Sequence, residues 1–346
     1  MRRLRLVVLI LMLCAVGAVV AGCAEAARER LGLGLAPPMS VAMIVHGAEG
    51  DPFWEEIRAG AEDAARAFDV NLYWRSTPDS EQRVRLIDEA VQQGFDVLVV
   101  TLSDPEALSE VVREAVVIGV TVFVVNVGDT AGAELGVDSY FGQVETVAGL
   151  AVGDRLAEVG STHLLCVRHE VKNVALETRC NRAGSRTGEW TDLIVDPAGG
   201  VEEQISSALT NDPTIDSVLT MNTLVMNAAA SAIEEVRASQ PGGRTVVHAV
   251  FELNDEVLDA IEDGRVEFAV DQQPYLQGYL PVAYARLVQY SELTQGDELA
   301  DAMLQWIAGR GVLLGPGFVD INNVQRVREA TQRTGASVAA GEQSNE

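Results

Sequence analysis

The sequence predicts an α/β protein made of two similar halves, each built on its own parallel β-sheet. Three observations lead to that reading. Short apolar runs recur about 25 residues apart from residue 41 onward, the stretches between them carry apolar residues at helical spacing, and the alternation resumes after residue 144. Strands buried on both faces read as continuous apolar runs, and amphipathic stretches between them supply the right-handed crossovers that parallel pairing needs.

Residues 41–45 (Val-Ala-Met-Ile-Val) form the first predicted strand. Asp51-Pro52 then starts a helix, because Asp is a strong N-cap and Pro suits the first helical position. Phe53, Ile57, Gly60, Ala61, Ala64 and Phe68 recur along that helix at its own period. A second strand covers 70–74, and the next helix carries Val84, Ile87, Ala90 and Val91 on one face. Strands at 96–101 and 120–125 flank a helix over 105–119. In the second half a helix spans 145–159, and strands follow at 163–168, 191–195, 217–220, 246–251 and 266–270 with helices between. No Gly-x-Gly-x-x-Gly follows the first strand and no Gly-Lys-Ser/Thr occurs, which disfavours the phosphate-cradling variants of this architecture.

The first residues read as a targeting segment instead of part of the fold. Arg2, Arg3 and Arg5 precede an uncharged apolar stretch over 6–20 that ends in Val20-Ala21-Gly22-Cys23. That stretch falls short of the roughly 20 apolar residues needed to span a bilayer. A cysteine directly after two small residues resembles the lipobox of bacterial lipoproteins, which implies lipidation at Cys23. Residues 1–22 are then a signal peptide and 23–39 a tether. Removing the signal peptide takes away three arginines and no acids, so the formal net charge moves from −26 to −29. Such a surface repels phosphate backbones and disfavours nucleic acid as a partner. Cys166 and Cys180 remain, and in an oxidising compartment they are either a disulfide or two buried thiols.

The residue inventory argues against an enzyme. There are four histidines, and none belongs to a His-Glu-x-x-His helix; no Cys-x-x-Cys pair and no Gly-x-Ser-x-Gly elbow occurs. No metal or cofactor site is predicted. Polar and aromatic residues do stand just beyond the strands, where ligands bind in open α/β sheets. Asp51, Phe53 and Trp54 follow the first strand, Asn126 ends the fourth, and Asn222, Glu252 and Gln272 follow later ones. Each has a local explanation as well: Asp51 and Asn222 as caps, Phe53 and Trp54 as core. Taken together they supply amides and carboxylates for hydroxyls and aromatic faces for a ring, the inventory of a sugar site.

Over about residues 40–325 the chain resembles the type I periplasmic sugar-binding proteins typified by ribose-binding protein. The segments that carry the resemblance are Asp51-Pro52-Phe53-Trp54, Gly142-Gln143-Val144-Glu145 with Ala148-Gly149, Thr220-Met221-Asn222, Val250-Phe251-Glu252, the run 271–279 beginning Asp271-Gln272-Gln273-Pro274, and Gly315-Pro316-Gly317-Phe318-Val319. The resemblance implies two Rossmann-like parallel-sheet lobes joined by a three-strand hinge. The N-terminal lobe would be 40–143 plus 274–296, the C-terminal lobe 144–273 plus 297–325, and the tail 326–346. It implies ligand contacts at Asp51, Phe53, Trp54, Asn222, Glu252 and Gln272. Departures from the ribose binders are also visible. Asn126-Val127 stands where they carry Asp-Arg, Val144 replaces an acid, and Glu177 falls at their ligand arginine, with Arg179 matching a neighbouring one. His169, Glu170 and Asn173, after a strand facing the cleft, either replace lost contacts or start a helix.

The implied function is capture of a sugar or sugar-like ligand by hinge closure and delivery to an ABC permease. The protein would act as a monomer, anchored by lipid to the outer face of the cytoplasmic membrane in the cell envelope. The alternatives are a ligand-binding component of a chemoreceptor or sensor kinase, and a binder of a nucleoside or furanose signal. A repressor of the lac type shares the two-lobe core but needs an N-terminal helix-turn-helix and a basic face, and the first residues match neither.

Overall fold

The computed structural model describes residues 38–239, 244–293 and 311–334. The expected signal peptide, Cys23 and nearly all of the tether lie outside the described residues. From Met39 the chain alternates strand and helix: β1 (Met39–Val45), α1 (Pro52–Phe68), β2 (Val70–Ser76), α2 (Ser80–Gln92), β3 (Val97–Val100), α3 (Pro105–Val117), β4 (Thr121–Val125), α4 (Asp129–Leu135) and β5 (Ser139–Gly142). The second series is α5 (Glu145–Glu158), β6 (His163–Arg168), α6 (Val174–Thr187), β7 (Glu189–Ile194), α7 (Val201–Asn211), β8 (Ser217–Thr220), α8 (Thr223–Ser239), β9 (Val247–Phe251), α9 (Asp255–Glu262) and β10 (Phe268–Asp271). It is followed by α10 (Pro274–Leu293), β11 (Val312–Leu313), β12 (Gly317–Asp320) and α11 (Val324–Thr334).

Two six-stranded sheets result, ordered β11-β5-β4-β3-β1-β2 and β12-β10-β9-β8-β6-β7. Pairing is parallel throughout except β12, which runs antiparallel to β10. Alternate residues of each strand feed different core layers, as the two-residue period requires. Val41, Met43 and Val45 pack with α1, while Ala42 and Ile44 pack with α2 and α3. Cys166 packs with α5 and α6, and Leu165 and Val167 pack with α7 and α8.

Helix α10 follows the second sheet in sequence yet packs on α1 of the first. Two glycines permit this close approach: a Cβ on Gly60 would lie 2.0 Å from the carbonyl oxygen of Tyr275, and one on Gly278 would lie 1.8 Å from that of Ile57. Among the described residues the chain passes between the sheets three times, at 143–144, at 272–273 and at 314–316.

Two expected boundaries are corrected. Val312–Leu313, placed by expectation in the second half, pairs with β5 and extends the first sheet. A two-residue strand has no periodicity of its own, and the open edge of β5 defines it. Residues 326–334, expected as tail, belong to α11, whose Val324 and Val327 pack into the core beneath α9. The short α4 and β5, also unforeseen, complete the first half.

Candidate binding site

The parallel strands end on one side of each sheet, and the residues just beyond them line one cavity, open to solvent. Of the ten ligand residues expected from sequence, the cavity gathers Asp51, Phe53, Trp54, Asn126, Glu170, Asn173, Asn222, Glu252 and Gln272. Glu177 is not among them. It is exposed on α6, and Arg179, half a turn further along that helix, reaches the cavity instead. His46, His169 and Met221 also line it, together with Ala175 and Leu176. The strand-end rule would have found His46, since it directly follows β1. Arg179 escapes that rule because it sits inside a helix.

From the first sheet, the loop after β1 carries His46 and leads to Asp51, whose carboxylate caps α1 by accepting from the Phe53 N–H at 3.0 Å. Trp54 is buried and meets His46 edge-on with ring centroids 4.5 Å apart. Gly47 makes that arrangement possible, since a Cβ there would lie 2.1 Å from the Trp54 ring. Phe53 is the more exposed of the two aromatics. Asn126 ends β4 with φ of 66°, a left-handed conformation that Asn tolerates better than most residues. Its Nδ2 donates to Gln277 Oε1 at 3.0 Å, and Gln277 Nε2 donates to the Gln272 carbonyl at 2.7 Å.

From the second sheet, Asn173 caps α6 by accepting from the N–H groups of Ala175 and Leu176. Asn222 accepts from the Val225 N–H at 2.9 Å, capping α8. Glu252 accepts from the Thr223 N–H. Arg179 is 3% exposed, stacks 4.6 Å over the Phe251 ring, and holds both oxygens of Glu145 and Gln272 Oε1. A disulfide joins Cys166 of β6 to Cys180 of α6 with Cα atoms 5.6 Å apart, and so ties the helix that carries Arg179 to the sheet.

The charge environment is acidic. Burial raises the Glu252 pKa to about 7, with repulsion from Asp51 adding to it and the Thr223 N–H opposing. Burial raises Asp51 as well, against the Phe53 N–H. Glu170 goes the other way: burial pushes up, but a hydrogen bond from His169 and the fields of His46 and His169 outweigh it and hold the carboxyl at about 2. Burial lowers His46 to about 4 despite Glu170. Among the described residues, the one guanidinium on the wall is already matched by Glu145. Carboxylates and amides with partly free lone pairs suit ligand hydroxyls, and an anionic ligand would meet repulsion.

Comparison with known proteins agrees with this geometry. A family model described as a periplasmic binding protein domain matches residues 41–293. A carbohydrate transporter from Acidothermus cellulolyticus, solved in complex with myo-inositol, is 36% identical with a TM-score of 0.74, covering 86% of this chain and 99% of that chain. The xylose/arabinose-binding protein XylF of Sulfolobus acidocaldarius is 24% identical over 88% of this chain and 76% of its own length. The ribose import binding protein RbsB of Bacillus subtilis is 22% identical over 71% of this chain and 80% of its own length.

Proposed function

The chain belongs to the periplasmic binding protein family, and we propose that it captures a neutral polyhydroxylated ring between its lobes for an ABC-type importer. It is a binding protein and not an enzyme. One observation carries this reading: strand-end side chains from both sheets line a single cavity whose one guanidinium among the described residues is already paired. Asp51, Glu170 and Glu252 accept hydrogen bonds from hydroxyls, Asn222 and Gln272 add amide groups, and Phe53 offers an apolar face to the ring. Myo-inositol is the first candidate, because the 36% identical relative was solved with it.

In this reading the first lobe comprises β1–β5, α10 and β11, and the second α5–β10, β12 and α11. The three crossings permit one main opening motion about the hinge. Lipid at Cys23 holds the monomer on the extracytoplasmic side beside its permease.

Isothermal titration of the native protein with myo-inositol, xylose, arabinose and ribose tests the ligand class. Binding of at least one at micromolar affinity, about −8 kcal/mol, is expected. Silence across the panel, whether or not a sugar phosphate binds, would overturn the neutral-polyol reading.

A further inference from the structure

We infer that His46 is a specificity-determining residue of this cavity, donating through Nδ1–H to a ligand oxygen, in a tautomer imposed across the cleft by Asn173. The inference rests on the reading of the cavity as a polyol site.

It starts from helix capping. Asn173 Oδ1 accepts from the N–H of Ala175 at 3.0 Å and of Leu176 at 3.3 Å, which decides which end of the amide is oxygen. The other end, Nδ2, donates to Glu170 Oε2 at 2.9 Å and lies 3.3 Å from His46 Nε2. An amide nitrogen only donates, so Nε2 of His46 must accept and carries no proton. An imidazolium would set N–H against N–H at this contact. The ring proton of the neutral imidazole therefore sits on Nδ1. Burial, which lowers the His46 pKa to about 4, agrees with the neutral form.

His46 is 5% exposed, and its Nδ1 is buried without a hydrogen-bond partner in the protein. A buried donor left unmatched is costly, so a ligand acceptor reaching it gains more than an exposed hydrogen bond would. His46 is among the residues that line the cavity, and Trp54 packed edge-on restrains its ring. A fixed donor selects a ligand oxygen at its position and rejects an ammonium there. His46 belongs to the first sheet's half and Asn173 to the second's, so the tautomer is imposed where the halves meet. Beside it, the Val174 N–H donates to the Ser103 carbonyl at 3.1 Å and Lys172 Nζ lies 3.6 Å from Asp104 Oδ2. Asn173 is thus a positioning residue, and His46 is the one that touches ligand.

The test uses the panel compound that the native protein binds tightest among myo-inositol, xylose, arabinose and ribose. Long-range ¹H–¹⁵N spectra of the native protein, assigned with His46→Phe, should show a protonated Nδ1 and a bare Nε2, with the Nδ1 resonance moving on saturation. His46→Phe should weaken binding about tenfold, the loss of one buried hydrogen bond. Asn173→Ser retains a capping oxygen and removes the amide donor, and should leave the native tautomer pattern no longer uniform. A proton on Nε2 in the liganded native protein overturns the inference. So does an unmoved Nδ1 resonance with His46→Phe affinity within about twofold of native. If the native protein binds no panel compound, the polyol reading itself fails, which is a different result.

Discussion

Arg179 and Glu145 form a buried ion pair beside the place where the chain first passes between the two sheets. Arg179 Nη2 lies 2.8 Å from Glu145 Oε1 and 2.7 Å from Gln272 Oε1, so one guanidinium joins residues flanking two of the three crossings. Both side chains are nearly inaccessible, at 4% each. Burial alone would raise the Glu145 pKa, and Arg179 opposes it.

Breaking such a pair from one side leaves an uncompensated buried charge. Arg179→Ala is expected to lower stability by about 3–5 kcal/mol, whereas the double change Arg179→Met with Glu145→Leu should cost much less. Urea unfolding of the three proteins checks this; equal midpoints for native and Arg179→Ala would show that the pair is energetically idle.

Asp51 has two roles that substitutions separate. Asp51→Ala removes the cap of α1 and should cost about 1 kcal/mol of stability in addition to ligand affinity. Asp51→Asn keeps a capping oxygen and alters only the carboxylate facing the cavity, so its melting temperature should stay near native while binding weakens. Equal binding by native and Asp51→Asn, measured by calorimetry, would assign the residue to capping alone.

Glu252 makes stability depend on pH. Its folded pKa of about 7 lies above the ordinary 4.5, chiefly through burial. Between these values the folded state keeps a proton that the unfolded state has lost, so the contribution is destabilising and grows as pH rises from about 4.5 to 7. Glu56, also raised to about 7 by burial and by Asp271 and Glu252, acts in the same direction. Relative to Glu252→Gln, the native protein should lose roughly 3 kcal/mol across that window. Parallel urea-midpoint curves for the two proteins from pH 4.5 to 8 would refute it.

The Cys166–Cys180 disulfide closes a loop of about 15 residues, for which chain entropy gives roughly 3 kcal/mol. The double change Cys166→Ala with Cys180→Ala should lower stability by that order. Because the bond ties α6 to β6, ligand affinity should fall as Arg179 loses its fixed position. Thiol titration of the unfolded native protein should detect the pair only after reduction.

Most strands and helices were legible because their cues are local. The β6 and β8 strands coincide with their apolar runs, and Asp51-Pro52 marks the start of α1. Strand-end residues such as Asn222 and Glu252 were found by combining that pattern with the rule that ligands gather beyond strand ends. Glu177 was misplaced because a likeness in sequence position does not say which face of α6 looks inward. His46 was passed over although it directly follows β1.

Amino-acid order alone determined the alternation of apolar runs and amphipathic helices, the caps, and the acidic, amide-rich set of groups at strand ends, since these depend on neighbours within a few residues. Only the tertiary structure decided that β11 and β12 attach to different sheets, that Arg179 enters the cavity, and that Asn173 meets His46. Each of these rests on partners brought together from distant parts of the chain, where sheet edges and helix faces, not local spacing, set the distance.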